Sequence, residues 1–183
     1  MADERTRVET QGGSGANRGN EIRPRPVITI VEHPREKKHK CTVAVLKGRE
    51  GLVFLPAEEA VRKDWGDALL LHAGASQELE PADRQRPLIL VDASWRWAER
   101  VVRKLPLPRR RLPPFRTAYP RSSKVFRDPP GGLASAEALF GALAVFGVYA
   151  EDVLDAFRWK EAFLAENRDL IRTLLERARR EKA

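Results

Sequence analysis

An α/β fold, a sheet followed by a small helical bundle, is what this 183-residue sequence predicts, on three observations. Short apolar runs recur through the first half between polar turns, the pattern of buried strands. The last third instead carries apolar residues at helical spacing. Two segments also run from a strand or glycine turn into a helix: Leu88-Ile89-Leu90-Val91 ends on Asp92-Ala93-Ser94-Trp95, and Gly131-Gly132-Leu133 leads into Ala134-Ser135-Ala136-Glu137-Ala138. Parallel sheets place ligand-binding polar groups at such strand ends, so the two junctions point to one pocket.

Each element follows from its residues. Residues 1–24, glycine-rich and polar around Gly12-Gly13-Ser14, are expected to be a disordered tail. The β-branched run 27–31 suits a buried strand. Segments 42–46 and 52–55 read either as one further strand or as a helix and a strand, and 69–71 and 88–91 are the next apolar runs. Glu80-Pro81-Ala82-Asp83 reads as a turn or a short helix start. From Trp95, the residues Ala98, Val101, Val102 and Leu105 lie on one helical face, opposite Arg96, Glu99, Arg100 and Arg103, until Pro106 ends the helix. Residues 106–130 hold seven prolines and many arginines, a loop long enough to be functional, with 115–119 as a last strand inside it. Helices are expected over 135–146, 150–158 and 159–179. The division is a tail (1–24), an α/β domain that binds the ligand (25–130) and a helical domain that completes the pocket (131–183).

Composition narrows the function classes. The longest apolar stretch, 139–150, is interrupted by Gly141 and Gly147 and is too short to cross a bilayer, and the N-terminus lacks a secretory signal. Both point to the cytoplasm and away from a membrane. The single cysteine, Cys41, excludes an internal disulfide. With 34 Lys and Arg against 26 Asp and Glu the net charge is +8, and the cations cluster: Lys37, Lys38 and Lys40; Arg109, Arg110 and Arg111; Arg116, Arg121 and Lys124. Such clusters are either solvated surface or a footprint for RNA. His33, His39 and Cys41 match no zinc spacing, so no metal is expected. Neither a P-loop nor a dinucleotide glycine fingerprint is present. Asp92 has two readings, a cap on the helix that follows or an active-site carboxylate, and Ser135 is placed to cap its own helix. Trp95 is either core or a platform for a flat ring.

Taken together, Lys38-His39-Lys40-Cys41-Thr42, Leu79-Glu80-Pro81-Ala82-Asp83, Val91-Asp92-Ala93-Ser94-Trp95, Leu112-Pro113, Leu133-Ala134-Ser135-Ala136-Glu137-Ala138 and the ending Phe157-Arg158-Trp159-Lys160-Glu161-Ala162-Phe163-Leu164-Ala165-Glu166-Asn167 resemble the small-subunit rRNA aminocarboxypropyltransferase family and the related DTW-domain proteins. The resemblance implies a SPOUT-like parallel sheet tied into a deep trefoil knot and followed by a C-terminal helical bundle. It implies transfer of the 3-amino-3-carboxypropyl group of S-adenosylmethionine to N3 of a uridine or modified pseudouridine. By position, Val91 would offer its carbonyl to the ribose and Ala98 would pack beneath it. Leu71, Trp95, Leu112, Leu133 and Ala138 would surround adenine, whose edge the backbone of Leu112 and Gly131 would read. Thr42 and Ser135 would bind the carboxylate of the transferred group, and Asp92 becomes the candidate catalytic residue, as proton acceptor or as holder of the ammonium group.

The sequence departs from the family's pattern over 117–124, which bears on the RNA target, and carries Ala73 where a proline of the cofactor pocket is expected. The expectation is therefore a cytoplasmic, monomeric, metal-free enzyme acting on small-subunit rRNA. The alternatives are a tRNA aminocarboxypropyltransferase, an ordinary methyltransferase, and a non-catalytic RNA-binding assembly factor.

Overall fold

The computed structural model describes residues 27–34, 41–120 and 129–181. Expectations for the tail and for Lys37, Lys38, Lys40, Arg121 and Lys124 lie outside the described residues. Among the described residues five parallel strands form one sheet: β1 (Ile28–Glu32), β2 (Leu52–Pro56), β3 (Leu69–Leu71), β4 (Leu88–Asp92) and β5 (Arg109–Arg110), in the order β2-β1-β4-β3-β5. The register sets Ile30 beside Leu90 and Glu32 beside Asp92, so β1 and β4 end together. Segment 42–46 resolves into a 3₁₀ turn, Ala44–Leu46, and Glu80-Pro81-Ala82-Asp83 opens another, Pro81–Gln85.

Both faces of the sheet are covered, which is why its central strands are continuous apolar runs. Alternate residues point to opposite faces. Ile28, Ile30, Leu88 and Leu90 pack on one side with α3 (Ser135–Val145) and α5 (Arg168–Arg180). Val31, Leu70 and Ile89 pack on the other with α1 (Ala57–Arg62) and with α2 (Trp95–Val102), through Val101, Val102 and the following Leu105. The larger core thus joins strand residues to helices from beyond residue 131. α3 is buried almost all round, and its sequence from Ala138 to Val145 is apolar apart from Gly141.

Three sequence expectations fail. Residues 115–119 form no strand: the amide of Arg116 donates to Asn167 Oδ1 (2.8 Å), that of Ala118 to Glu137 Oε1 (2.8 Å) and that of Tyr119 to Thr117 Oγ1 (3.1 Å). Side chains take the amides that a neighbouring strand would need. The sheet's last strand is instead the arginine pair of β5. Of the helix expected over 150–158, only the 3₁₀ turn Glu151–Leu154 forms. The helix expected over 159–179 is two, α4 (Lys160–Glu166) and α5, broken at Asn167. The Asn167 side chain is buried and faces inward, where Nδ2 donates to the carbonyls of Arg116 and Phe163.

Candidate ligand pocket at the end of β4

A cavity of about 360 Å³ opens at the C-terminal ends of β3 and β4. Five separate stretches of chain line it: Thr42; Leu71 to Ala73; Leu90 to Trp95 with Ala98 and Val102; Leu112, Tyr119 and Pro120; and Gly131 with Leu133, Ala134, Ser135 and Ala138. Its size lies within the range of small-molecule sites. The eleven residues expected to hold the cofactor, Thr42, Leu71, Val91, Asp92, Trp95, Ala98, Leu112, Gly131, Leu133, Ser135 and Ala138, all face this one space.

Asp92 organises the polar end. Only 5% exposed, it accepts the Cys41 thiol on Oδ2 (2.7 Å) and the Ser135 hydroxyl on Oδ1 (2.5 Å). One carboxylate therefore ties the end of β4 to the chain after β1 and to the start of α3. The capping readings are corrected here. The residue preceding α2 is Ser94 and that preceding α3 is Ala134, with no side-chain cap bond at either, because Asp92 and Ser135 bond to each other across the cavity wall. Thr42 Oγ1 accepts the amide of Ala136 (3.1 Å), a second tie between the same two segments. Burial, the hydrogen bond to Asp92 and that residue's charge push the Cys41 thiol up to about 12. It therefore stays protonated and serves as a donor.

The remaining walls are largely apolar. Leu71, Leu90, Val91, Trp95, Leu112 and Leu133 surround the space, and among the described residues Asp92 is the one carboxylate on the wall, beside the ionisable side chains of His72 and Tyr119. His72 is turned to α2, where its Nε2 meets Glu99 Oε1 at 2.8 Å. One lining residue, Tyr119, and one residue buried behind the wall, Glu137, lay beyond the sequence reading. Tyr119 was read as strand, yet its ring packs against Trp159 (5.1 Å between centroids) and Phe157 (6.4 Å). Glu137, read only as an acid in an early helical turn, is fully buried and accepts from the amides of Ala134 and Ala118 (both 2.8 Å) and from Thr117 Oγ1 (2.7 Å). It clamps the two loops that bring Tyr119 and Leu133 to the cavity. The spacing Ala134-Ser135-Ala136-Glu137, in which the acid reaches back to the amide three residues earlier, was the available signal.

The expected RNA-contacting cations behave differently from one another. Arg110 is held inside the fold by Asp83 (3.0 Å) and Gln77, whereas Arg109 and Arg111 are exposed on the β5 edge. Arg116 is exposed next to the segment that Asn167 holds.

Comparison with known proteins bears on this arrangement. Residues 69–182 match the family described as "Ribosome biogenesis protein, C-terminal". A 16S rRNA aminocarboxypropyltransferase of Halobacterium salinarum is 34% identical over 135 residues, spanning 73% of this chain and 77% of the relative. One of Methanopyrus kandleri is 33% identical over 153 residues, spanning 76% and 84%. Among solved structures, the SAM-dependent rRNA:acp-transferase Tsr3 from Vulcanisaeta distributa superposes with a TM-score of 0.63 over 82% of this chain and 84% of that one; at 22% identity this likeness speaks to the fold. A cavity walled by the 88–95 and 131–138 junctions, on a chain with such relatives, leads to one conclusion: this chain belongs to the ribosome-biogenesis family of the 16S rRNA aminocarboxypropyltransferases.

Proposed function

We propose that this protein transfers the 3-amino-3-carboxypropyl group of S-adenosylmethionine to N3 of a uridine or modified pseudouridine in small-subunit rRNA. The observation that carries the reading is the pairing of apolar walls with a single buried carboxylate, Asp92, in a cavity at the end of a parallel sheet. An adenosine bearing a sulfonium and an ammonium group has that complementary shape and charge. The donor set fits: flat apolar surface from Trp95 and the leucines for the base, the Val91 carbonyl for ribose hydroxyls, and small Ala98 beneath the sugar. Thr42 Oγ1 already accepts a bond from Ala136, and its own proton is available to the carboxylate of the transferred group.

Bound S-adenosylmethionine supplies a methylene carbon made electrophilic by its sulfonium; N3 bonds to that carbon, the carbon–sulfur bond breaks, methylthioadenosine departs and N3 gives up its proton. The chain's residues decide which carbon is presented. Thr42, and Ser135 once its hydroxyl turns from Asp92, would hold the carboxylate and so present the methylene rather than the methyl to the RNA base. Asp92 sits where it either takes the N3 proton or holds the ammonium group, and the apolar walls keep water from the sulfonium. The same reading extends to a SPOUT-like, trefoil-knotted path for the sheet, and to a cytoplasmic, metal-free monomer in which residues 131–183 complete the pocket.

The test is to incubate protein and small-subunit rRNA with S-adenosylmethionine labelled separately in the methyl and carboxyl groups. Carboxyl label in the rRNA supports the reading. Methyl label alone identifies a methyltransferase, carboxyl label only in tRNA moves the substrate, and cofactor binding without transfer of either label leaves an assembly factor.

A further inference from the structure

We infer that the outer face of α2, together with the ring of His33, is a second RNA-contact surface that receives an unpaired stretch of the substrate beside the cavity. The inference rests on the proposed RNA substrate and adds a surface that none of the clustered cations above provides. The His33 and Trp97 rings stack at 4.6 Å between centroids, 20° from parallel, and the guanidinium of Arg100 lies 4.5 Å from the Trp97 centroid, with that of Arg96 at 5.8 Å. Arg96 and Arg100 are exposed and pair with no acid among the described residues, because Glu99, the one acid of α2, is turned to His72. The helix therefore shows solvent a cationic, aromatic face.

Position gives that face its meaning. The His33 amide donates to the Asp92 carbonyl (3.3 Å), so the stack begins one hydrogen bond from the polar end of the cavity. In the sheet order the central β4 has β1, which leads to His33, on one side, and β3 with the β5 edge of Arg109 and Arg111 on the other. A strand whose target base enters the cavity would pass between the two. Aromatic rings interleaved with arginines bind single strands by stacking and by phosphate contact, and a paired helix hides its base faces from them. The face thus selects an unpaired segment.

The experiment measures binding of the full chain to a short fluorescent oligouridine and to a small-subunit rRNA transcript across a salt series, without cofactor. Trp97→Ala is expected to weaken binding about tenfold with the salt dependence unchanged. Arg96→Gln with Arg100→Gln is expected to flatten the slope of log affinity against log salt by about 1.4, at roughly 0.7 per lost phosphate contact. Both variants are expected to keep the parent's melting temperature and its thermal stabilisation by S-adenosylmethionine. The proposal is overturned if both bind within about twofold of the parent, or if affinity falls only together with that stabilisation. Should Trp97→Ala fail to fold, Trp97→Phe and the exposed arginine pair decide. The carboxyl-label assay on the parent separates the two ideas: transfer with unchanged variant binding rejects this surface alone, and no transfer rejects the substrate reading while direct binding still judges the surface.

Discussion

The Cys41 thiol donates to Asp92 Oδ2 at 2.7 Å, joining the chain after β1 to the end of β4 across 51 residues. The bond takes one oxygen of the only carboxylate that the described residues place on the cavity wall, and the burial that accompanies it makes the thiol a poor nucleophile at neutral pH.

A pH dependence follows. The folded thiol titrates at about 12, above its ordinary value of 9.0, so the unfolded chain loses this proton first. The contribution to stability is complete below about pH 9 and is lost as pH rises toward about 12. Denaturation midpoints across this range should fall more steeply for the parent than for Cys41→Ala. In Asp92→Asn, alkylation of Cys41 should begin at lower pH, though still above the ordinary thiol range because burial, the largest cause, remains.

Glu137→Gln should destabilise the fold by about 2–4 kcal/mol, since the amide brings a donor toward a site where three donors converge on a buried carboxylate. Chemical denaturation gives the loss directly. Cofactor affinity should fall as well, because Tyr119 and Leu133 reach the cavity on the loops that Glu137 holds; unchanged affinity would show that other contacts place them.

At Gly141 a methyl group would lie 3.2 Å from Leu112 Cδ1 and 3.2 Å from Phe115 Cε2. Leu112 has the cavity behind it and can yield into that space. Gly141→Ala should therefore change stability by no more than about 1 kcal/mol, helix propensity offsetting the repacking. Thermal stabilisation by S-adenosylmethionine should drop. A large stability loss with full cofactor affinity would place the strain on Phe115.

Asn167→Ala should cost about 2–3 kcal/mol, because it leaves the Arg116 amide without its acceptor and the Arg116 carbonyl without its donor, while the Phe163 carbonyl keeps the backbone amide of residue 167. Asn167→Asp should be worse at neutral pH, since a carboxylate would face those carbonyls, and should recover as acid protonates it. Melting curves at neutral and acidic pH read both effects.

Much of the site was legible because its walls are junctions. Runs such as Leu88 to Val91 announce a buried strand, and the polar residues after it must lie where a parallel strand stops. The resemblance then gathered Thr42, Leu112 and Gly131 into the same wall, which spacing alone could not do. The arginine pair of β5 has no apolar pattern; only its register with Leu70 and Leu71 makes it a strand. The break at Asn167 was hidden because the helical spacing continues through it, while the cause, a side chain bonded to Arg116, lies 51 residues away. The cap reading of Ser135, and the cap alternative for Asp92, fail for the same reason: local preference favours capping, and a tertiary partner overrides it.

The five stretches lining the cavity are spread from Thr42 to Ala138. A chain halted before α3 could form every strand of the sheet and still lack Ser135, the partner of Asp92. Closure of the pocket therefore belongs to the slow, non-local end of folding. Affinity for S-adenosylmethionine becomes a proofreading signal: a molecule able to hold it has already been synthesised and folded as far as the helix that begins at Ser135.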